Sequence, residues 1–134
     1  MSISWRLDEE DGVDPDELLG AVVLQDSDGN QIEESIVFLD SFFLAMAEGL
    51  VAVDGGESRA RVELFDAPVS LTFDRSLEQV SIECRGRSVC FPYENIVRDL
   101  VDSYSKMAEY VGFAGTIPNY IDLNEAIAAL SAKL

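Results

Sequence analysis

Between Ala60 and Phe91 the chain alternates apolar and polar residues four times over, with only short breaks between the runs. Ala60, Val62 and Leu64 alternate with Arg61 and Glu63. Val69, Leu71 and Phe73 alternate with Ser70, Thr72 and Asp74. Val80, Ile82 and Cys84 alternate with Ser81 and Glu83, and Val89 and Phe91 complete a fourth run. A period of two marks strands with one buried face. The breaks fall at Asp66-Ala67-Pro68, Asp74 to Glu78 and Gly86-Arg87. They are too short for crossover connections, so these strands must form an antiparallel meander. One face of that meander is apolar and has to be covered.

Two helical segments can supply the cover. The longest apolar run, Ile36 to Val53, is interrupted by the acids Asp40 and Glu48. Leu39, Phe42, Phe43, Met46 and Leu50 form one stripe at helical spacing, and Leu44, Ala47 and Val51 form another. A helix apolar on most sides is buried on most sides, here between the sheet and another helix or a second subunit. Its start is expected near Asp40, with residues 35–39 partly extended, Asp40 or Ser35 as cap and Gly55-Gly56 as its end. The second helix carries Tyr93, Ile96, Val97, Leu100, Val101, Tyr104, Met107, Ala108 and Val111 at three- and four-residue spacing. Pro92 stands at its entrance, and Gly112 and Gly115 end it. After a connector over residues 113–121, Asp122 is expected to cap a last short helix with Glu125 as its capping-box partner. The stripe of that helix is Leu123, Ile127, Leu130 and Leu134.

The N-terminal part reads as a hairpin. Ile3, Trp5 and Leu7 alternate with Ser2, Ser4 and Arg6, which puts Trp5 on the core side. Leu18 to Gln25 is a second strand, Asp26-Ser27-Asp28-Gly29-Asn30 a turn, and Gln31 to Glu34 a short return strand. The expected architecture is therefore a single α+β domain over residues 1–134. An N-terminal hairpin and a four-strand meander make an antiparallel sheet, packed against a central hydrophobic helix and a C-terminal amphipathic helix, with a short terminal helix. A chain of 134 residues is long enough to bury such a core.

The residue inventory argues against catalysis. There is no histidine, which removes Ser-His and Cys-His nucleophile pairs, histidine metal sites and the commonest general base. No phosphate-binding or dinucleotide glycine pattern occurs, and no cofactor is expected. Counted as a calcium loop from Asp26, position six is Gln31 and position twelve is Val37, where glycine and glutamate are needed. An ordinary hairpin turn is the better reading, and no metal site is assigned. Cys84 and Cys90 bracket a turn read as Gly86-Arg87 of type II′, which sets Cys84 opposite Val89 and Ile82 opposite Phe91. Cys90 then falls on the other face, so two free thiols are expected. Met1 to Glu10 lacks a basic start and apolar stretch, and the apolar run carries acids without basic flanks. A cytoplasmic location follows as the expectation.

What remains is charge. The chain carries a formal net charge of −17, yet its 48% hydrophobic content is that of a folding chain. Residues 1–34 hold eleven acids against Arg6 alone, a net −10. Seven of the ten residues from Asp8 to Glu17 are acidic: Asp8, Glu9, Glu10, Asp11, Asp14, Asp16 and Glu17. Such a chain repels nucleic-acid phosphates and anionic lipid headgroups. A basic protein is the partner it suits, with these seven acids as the contact surface. The concrete form is an acidic inhibitor or an immunity-type protein that neutralises a bacterial toxin. The alternative is a structural or regulatory subunit that homodimerises through apolar helices. Its acidity would then serve solubility or high salt, in keeping with seven arginines and only Lys106 and Lys133. The arginines at 59, 61, 85 and 87 read as local neutralisation of neighbouring acids.

Overall fold

A computed structural model describes residues 2–8, 18–54, 57–64, 68–111 and 118–132. The meander expected from the alternation is there. It consists of β4 (Arg59–Glu63), β5 (Ser70–Ser76), β6 (Gln79–Cys84) and β7 (Arg87–Pro92), each antiparallel to the next. The N-terminal part is a separate three-stranded sheet of β1 (Ile3–Leu7), β2 (Leu19–Gln25) and β3 (Gln31–Phe38) in sequence order. The return strand is thus eight residues long and carries an irregularity: Val22 pairs with Glu34 but Gly20 with Val37, so Ser35 and Ile36 both stand opposite Ala21. This is a β-bulge.

Helix α1 (Leu39–Asp54) follows β3 directly, and its first amide bonds the Leu18 carbonyl at 2.8 Å. Asp40 therefore lies in the first turn, where a carboxylate favours the positive end of the helix dipole, and Ser35 belongs to the bulge. Leu39, Phe42, Phe43, Met46 and Leu50 are fully buried. The cover comes from within the chain: α1 packs on β4 and β5 on one side and on α3 (Pro118–Ser131) on the other. Helix α2 (Tyr93–Val111) packs against α3, β1 and β7. One continuous core runs through both sheets and all three helices.

Two local expectations are corrected. Helix α3 begins at Pro118, so Asp122 lies inside it and does not cap it. Proline's fixed φ suits a first helical turn, and its missing N–H costs nothing there. The β6–β7 turn is Arg85-Gly86, both at positive φ (52° and 79°), which pairs Cys84 with Arg87, Ile82 with Val89 and Val80 with Phe91. The expected pairing was off by two residues. An even slip keeps every side chain on its face, so Cys84 is still buried, Cys90 exposed, and both thiols free. The expected ends at Gly55-Gly56, Gly112 and Gly115, the connector up to residue 117 and the stripe's last residue Leu134 lie outside the described residues, as do Asp66 and Ala67. No helix among the described residues is long and apolar enough to cross a membrane.

The two sheets meet where β3 runs beside β7 without a ladder between them. The Tyr93 amide bonds the Glu78 carbonyl at 2.7 Å, and this sets the alternation along β7. Amides of Val89 and Phe91 face β6, while those of Ser88 and Cys90 face outward. Pro92 has no N–H, and the Cys90 amide donates to Asp26 Oδ2 at 3.0 Å. At the other end of the seam Arg85 Nε donates to Glu34 Oε1 at 2.8 Å, and the Cys84 thiol donates to the same oxygen at 3.6 Å. Side chains do the joining that backbone bonds do elsewhere.

Candidate docking site at the bulged end of the first sheet

The acidic run starts at a described corner of the first sheet. Its first acid, Asp8, follows β1, and the Asp8 amide donates to the Leu19 carbonyl at 2.8 Å. Asp8 and Leu19, with Leu18 before it, are therefore neighbours at one corner of the sheet. Of the seven acids singled out by sequence, Asp8 is placed there. Glu9, Glu10, Asp11, Asp14, Asp16 and Glu17 lie outside the described residues.

That corner has a groove of about 540 Å³ lined by Arg6, Leu7, Asp8, Leu19, Gly20, Ser35 and Ile36. Its floor depends on Gly20. A Cβ built there would lie 1.9 Å from the Arg6 carbonyl oxygen, a clash with backbone that no rotamer relieves. Gly20→Ala is expected to destabilise the pairing of β1 by about 2 kcal/mol. Hydrogen exchange should show protection falling in β1 first, and unchanged β1 protection would contradict the close approach.

One wall is the bulge. Two residues in series opposite one break the alternation, and Ile36 ends up 83% exposed beside the half-buried Leu19. Sequence reasoning counted Ile36 in the buried apolar run. The only local hint was the Glu33-Glu34-Ser35 triplet before it, which is out of place in a core-facing segment. Leu77 is more exposed still, at 91%, but it stands on the two-residue β5–β6 turn with φ 56°, away from any strand wall. Tyr110 is 56% exposed and meets Trp5 edge to face at 5.8 Å, so Trp5 packs against the core as its alternation predicts.

The other polar assemblies are committed to the fold. Arg75 lies 3.9 Å above the Tyr93 ring, pairs with Asp54 at 3.4 Å and donates from Nε to the Leu77 carbonyl. The Tyr93 hydroxyl donates to the Leu50 carbonyl at 2.8 Å, and burial with nearby Asp54 pushes its pKa up to about 12. Tyr104 is bonded through its hydroxyl to Asn124, which ties α2 to α3. Burial, reinforced by Glu34, pushes the Cys84 thiol up to about 11, so it is a protonated donor and not a nucleophile. Arg59 pairs with Asp74, Arg61 with Glu63 and Arg85 with Glu34, which is the local neutralisation expected of these arginines. Arg87 makes no ion pair among the described residues.

The Asp26–Asn30 segment is a turn. Asp26 Oδ1 accepts the amides of Asp28 (3.0 Å) and Asn30 (2.9 Å), and Oδ2 accepts Asn30 Nδ2 and the Cys90 amide. Its oxygens are engaged by N–H donors, and Gly29 supplies the positive φ of 86°. Among the described residues no three His, Cys, Asp or Glu side chains are grouped to hold a metal.

Family models, curated proteins and solved structures were compared with this chain, and none matches it. The functional reading rests on the chemistry of the corner just described.

Proposed function

We propose that this chain is a non-catalytic, cytoplasmic binding protein that neutralises a basic protein partner, as an acidic inhibitor or a toxin-immunity protein does. One observation carries the reading: a net −10 over residues 1–34, most of it in the run from Asp8 to Glu17, with Asp8 bonded to Leu19 at a grooved corner of the first sheet. Concentrated charge steers an oppositely charged partner and raises its association rate. A rigid scaffold with such a corner is sufficient for inhibition by occlusion, with no reacting group required. Asp8, Glu9, Glu10, Asp11, Asp14, Asp16 and Glu17 are the contact acids of this reading.

The test uses the protein immobilised at low salt against an extract of its own source. A retained basic protein is expected, released as ionic strength rises from about 0.05 to about 0.5 M, where the screening length shrinks several-fold. Replacing the seven acids by Asn and Gln is expected to weaken that complex at least tenfold, chiefly through the association rate. Thermal unfolding should hold steady or improve, because like charges are removed. Unchanged affinity after the replacement overturns the proposed contact surface.

A further inference from the structure

A second groove, of about 310 Å³, is built from α1, β4 and α3, and its volume is that of a small-molecule site. Helix α1 supplies Ser41, Leu44 and Glu48, which stand three and four residues apart and so share one face. β4 supplies Val62 and Glu63, and α3 supplies Asp122. Glu48, Glu63 and Asp122 are exposed, and no base stands on the lining among the described residues. Glu63 meets Arg61 at 3.6 Å, but both side chains are mostly in water, so a competing cation displaces that contact readily. An acidic groove alone would mean little in a chain with 26 acids. Ser41 makes the difference. It is 1% exposed, its Oγ has no hydrogen-bond partner, and it lies on the lining beneath the exposed acids. A buried hydroxyl left unpaired destabilises the fold, and native structures seldom keep one without a use.

Every polar side chain on this lining accepts hydrogen bonds, and the ionised acids do nothing else. The ligand that suits it is a cationic donor. A bare metal ion does not fit, because among the described residues no three acids are grouped to hold one. The carboxylates are spread over three elements, with the apolar Leu44 and Val62 on the same lining. We infer that this groove binds an aliphatic polyamine, a methylene chain with ammonium groups along it. The methylenes cover Leu44 and Val62, the ammonium groups meet Glu48, Glu63 and Asp122, and the innermost donates to Ser41 Oγ. One χ1 torsion aims that hydroxyl, so meeting the ligand needs no movement of α1. The site shares no lining residue with the acidic corner and does not rest on the basic-protein reading.

Spermidine is the probe, titrated calorimetrically at about 0.15 M salt, where attraction between exposed charges is screened beyond about 8 Å. Hexaamminecobalt(III), a compact ion of the same charge without methylenes, is the control. Spermidine is expected to bind about tenfold tighter than the control, the effect of covering apolar surface. Amide shifts should cluster at Ser41, Leu44, Glu48, Val62 and Asp122. Combining Glu48→Gln, Glu63→Gln and Asp122→Asn should weaken spermidine about tenfold or more, whereas replacing the acids from Asp8 to Glu17 should change it by less than about twofold. Ser41→Ala is expected to weaken spermidine about fivefold and yet raise the melting temperature of the free protein by about 3 °C, because an unpaired buried hydroxyl is gone. Unchanged spermidine affinity in Ser41→Ala, or a lower melting temperature, overturns the site. Equal binding of spermidine and the control, or shifts scattered over the surface, means bulk charge alone and also overturns it. Tighter binding of an end-blocked trilysine peptide at the same residues would make the occupant a protein segment, and the polyamine assignment would fall. None of these results bears on the retention of a basic protein at the other corner, which is read separately.

Discussion

Asp26→Asn is expected to cost the fold about 3 kcal/mol, although the two side chains have nearly the same shape. Asp26 is only 7% exposed, and both its oxygens act as acceptors. Oδ1 holds two backbone amides of its own turn; Oδ2 holds the Asn30 side chain and the Cys90 amide from the other sheet. Asparagine accepts at one end only. Whichever way its amide turns, an NH₂ group faces N–H donors, and the turn or the seam loses its partner. Burial by itself would raise the pKa of this carboxyl, but the bonds from Cys90, Asn30 and Asp28 outweigh burial and hold it below its ordinary value. The sign follows from that direction. A depressed folded-state pKa contributes stability that is fully present above the ordinary aspartate range, about pH 4, and is lost as pH falls through the folded value. Other carboxylates titrate in the same window and relieve the net repulsion of −17, so the parent's stability alone does not isolate Asp26. The difference between parent and Asp26→Asn does. Denaturant unfolding should give a constant gap from about pH 7 to about pH 5 that narrows below about pH 4. A gap that widens on acidification would contradict the assigned direction.

Gly49→Ala is expected to destabilise by about 2 kcal/mol, against the usual benefit of alanine in a helix. Gly49 is buried in α1, where a Cβ would lie 2.1 to 2.4 Å from three ring atoms of Phe73. Phe73 is completely buried in β5 as part of the close-packed core. Alanine gains about 1 kcal/mol of helix propensity, which offsets only part of the overpacking. The melting temperature should drop by roughly 8 °C for a domain of this size. Adding Phe73→Leu removes the ring atoms in conflict, so the double variant should be more stable than the sum of the single effects predicts. Strict additivity would show that the helix and β5 do not meet at this point.

Where these effects lie explains which parts of the fold could be read from residues alone. β5 and β6 were legible because Leu71, Phe73, Val80 and Ile82 alternate without a break and all point into one core. The central helix was legible for the same kind of reason, since its stripes repeat at helical spacing. The β6–β7 turn was misplaced because Arg85 occupies a backbone region that non-glycine residues avoid. Its partner there, Glu34, lies 51 residues away, which no local pattern reveals. The upper half of β3 was only partly read because the bulge replaces a two-residue step by a three-residue one between Glu34 and Val37. The candidate site suffered most from this. Its acids are visible in composition, whereas the exposure of Ile36 arises from pairing between β2 and β3.

The seam between the sheets has a consequence for how crowded copies of this chain behave. A strand edge invites another chain to pair with it, and the two sheets of the described residues have four such edges. β3 and β7 turn two of those edges toward each other inside one molecule, where Pro92 and the bonded Cys90 amide leave little to pair with. β1 has α2 packed against it, and β4 is five residues long with Arg59, Arg61 and Glu63 along it. Mutual repulsion keeps the molecules apart in dilute salt and fades as salt rises. Shielded edges do not depend on ionic strength. Concentrated solutions should therefore remain free of β-rich fibres in molar salt, where the charge that dominates the composition no longer protects them.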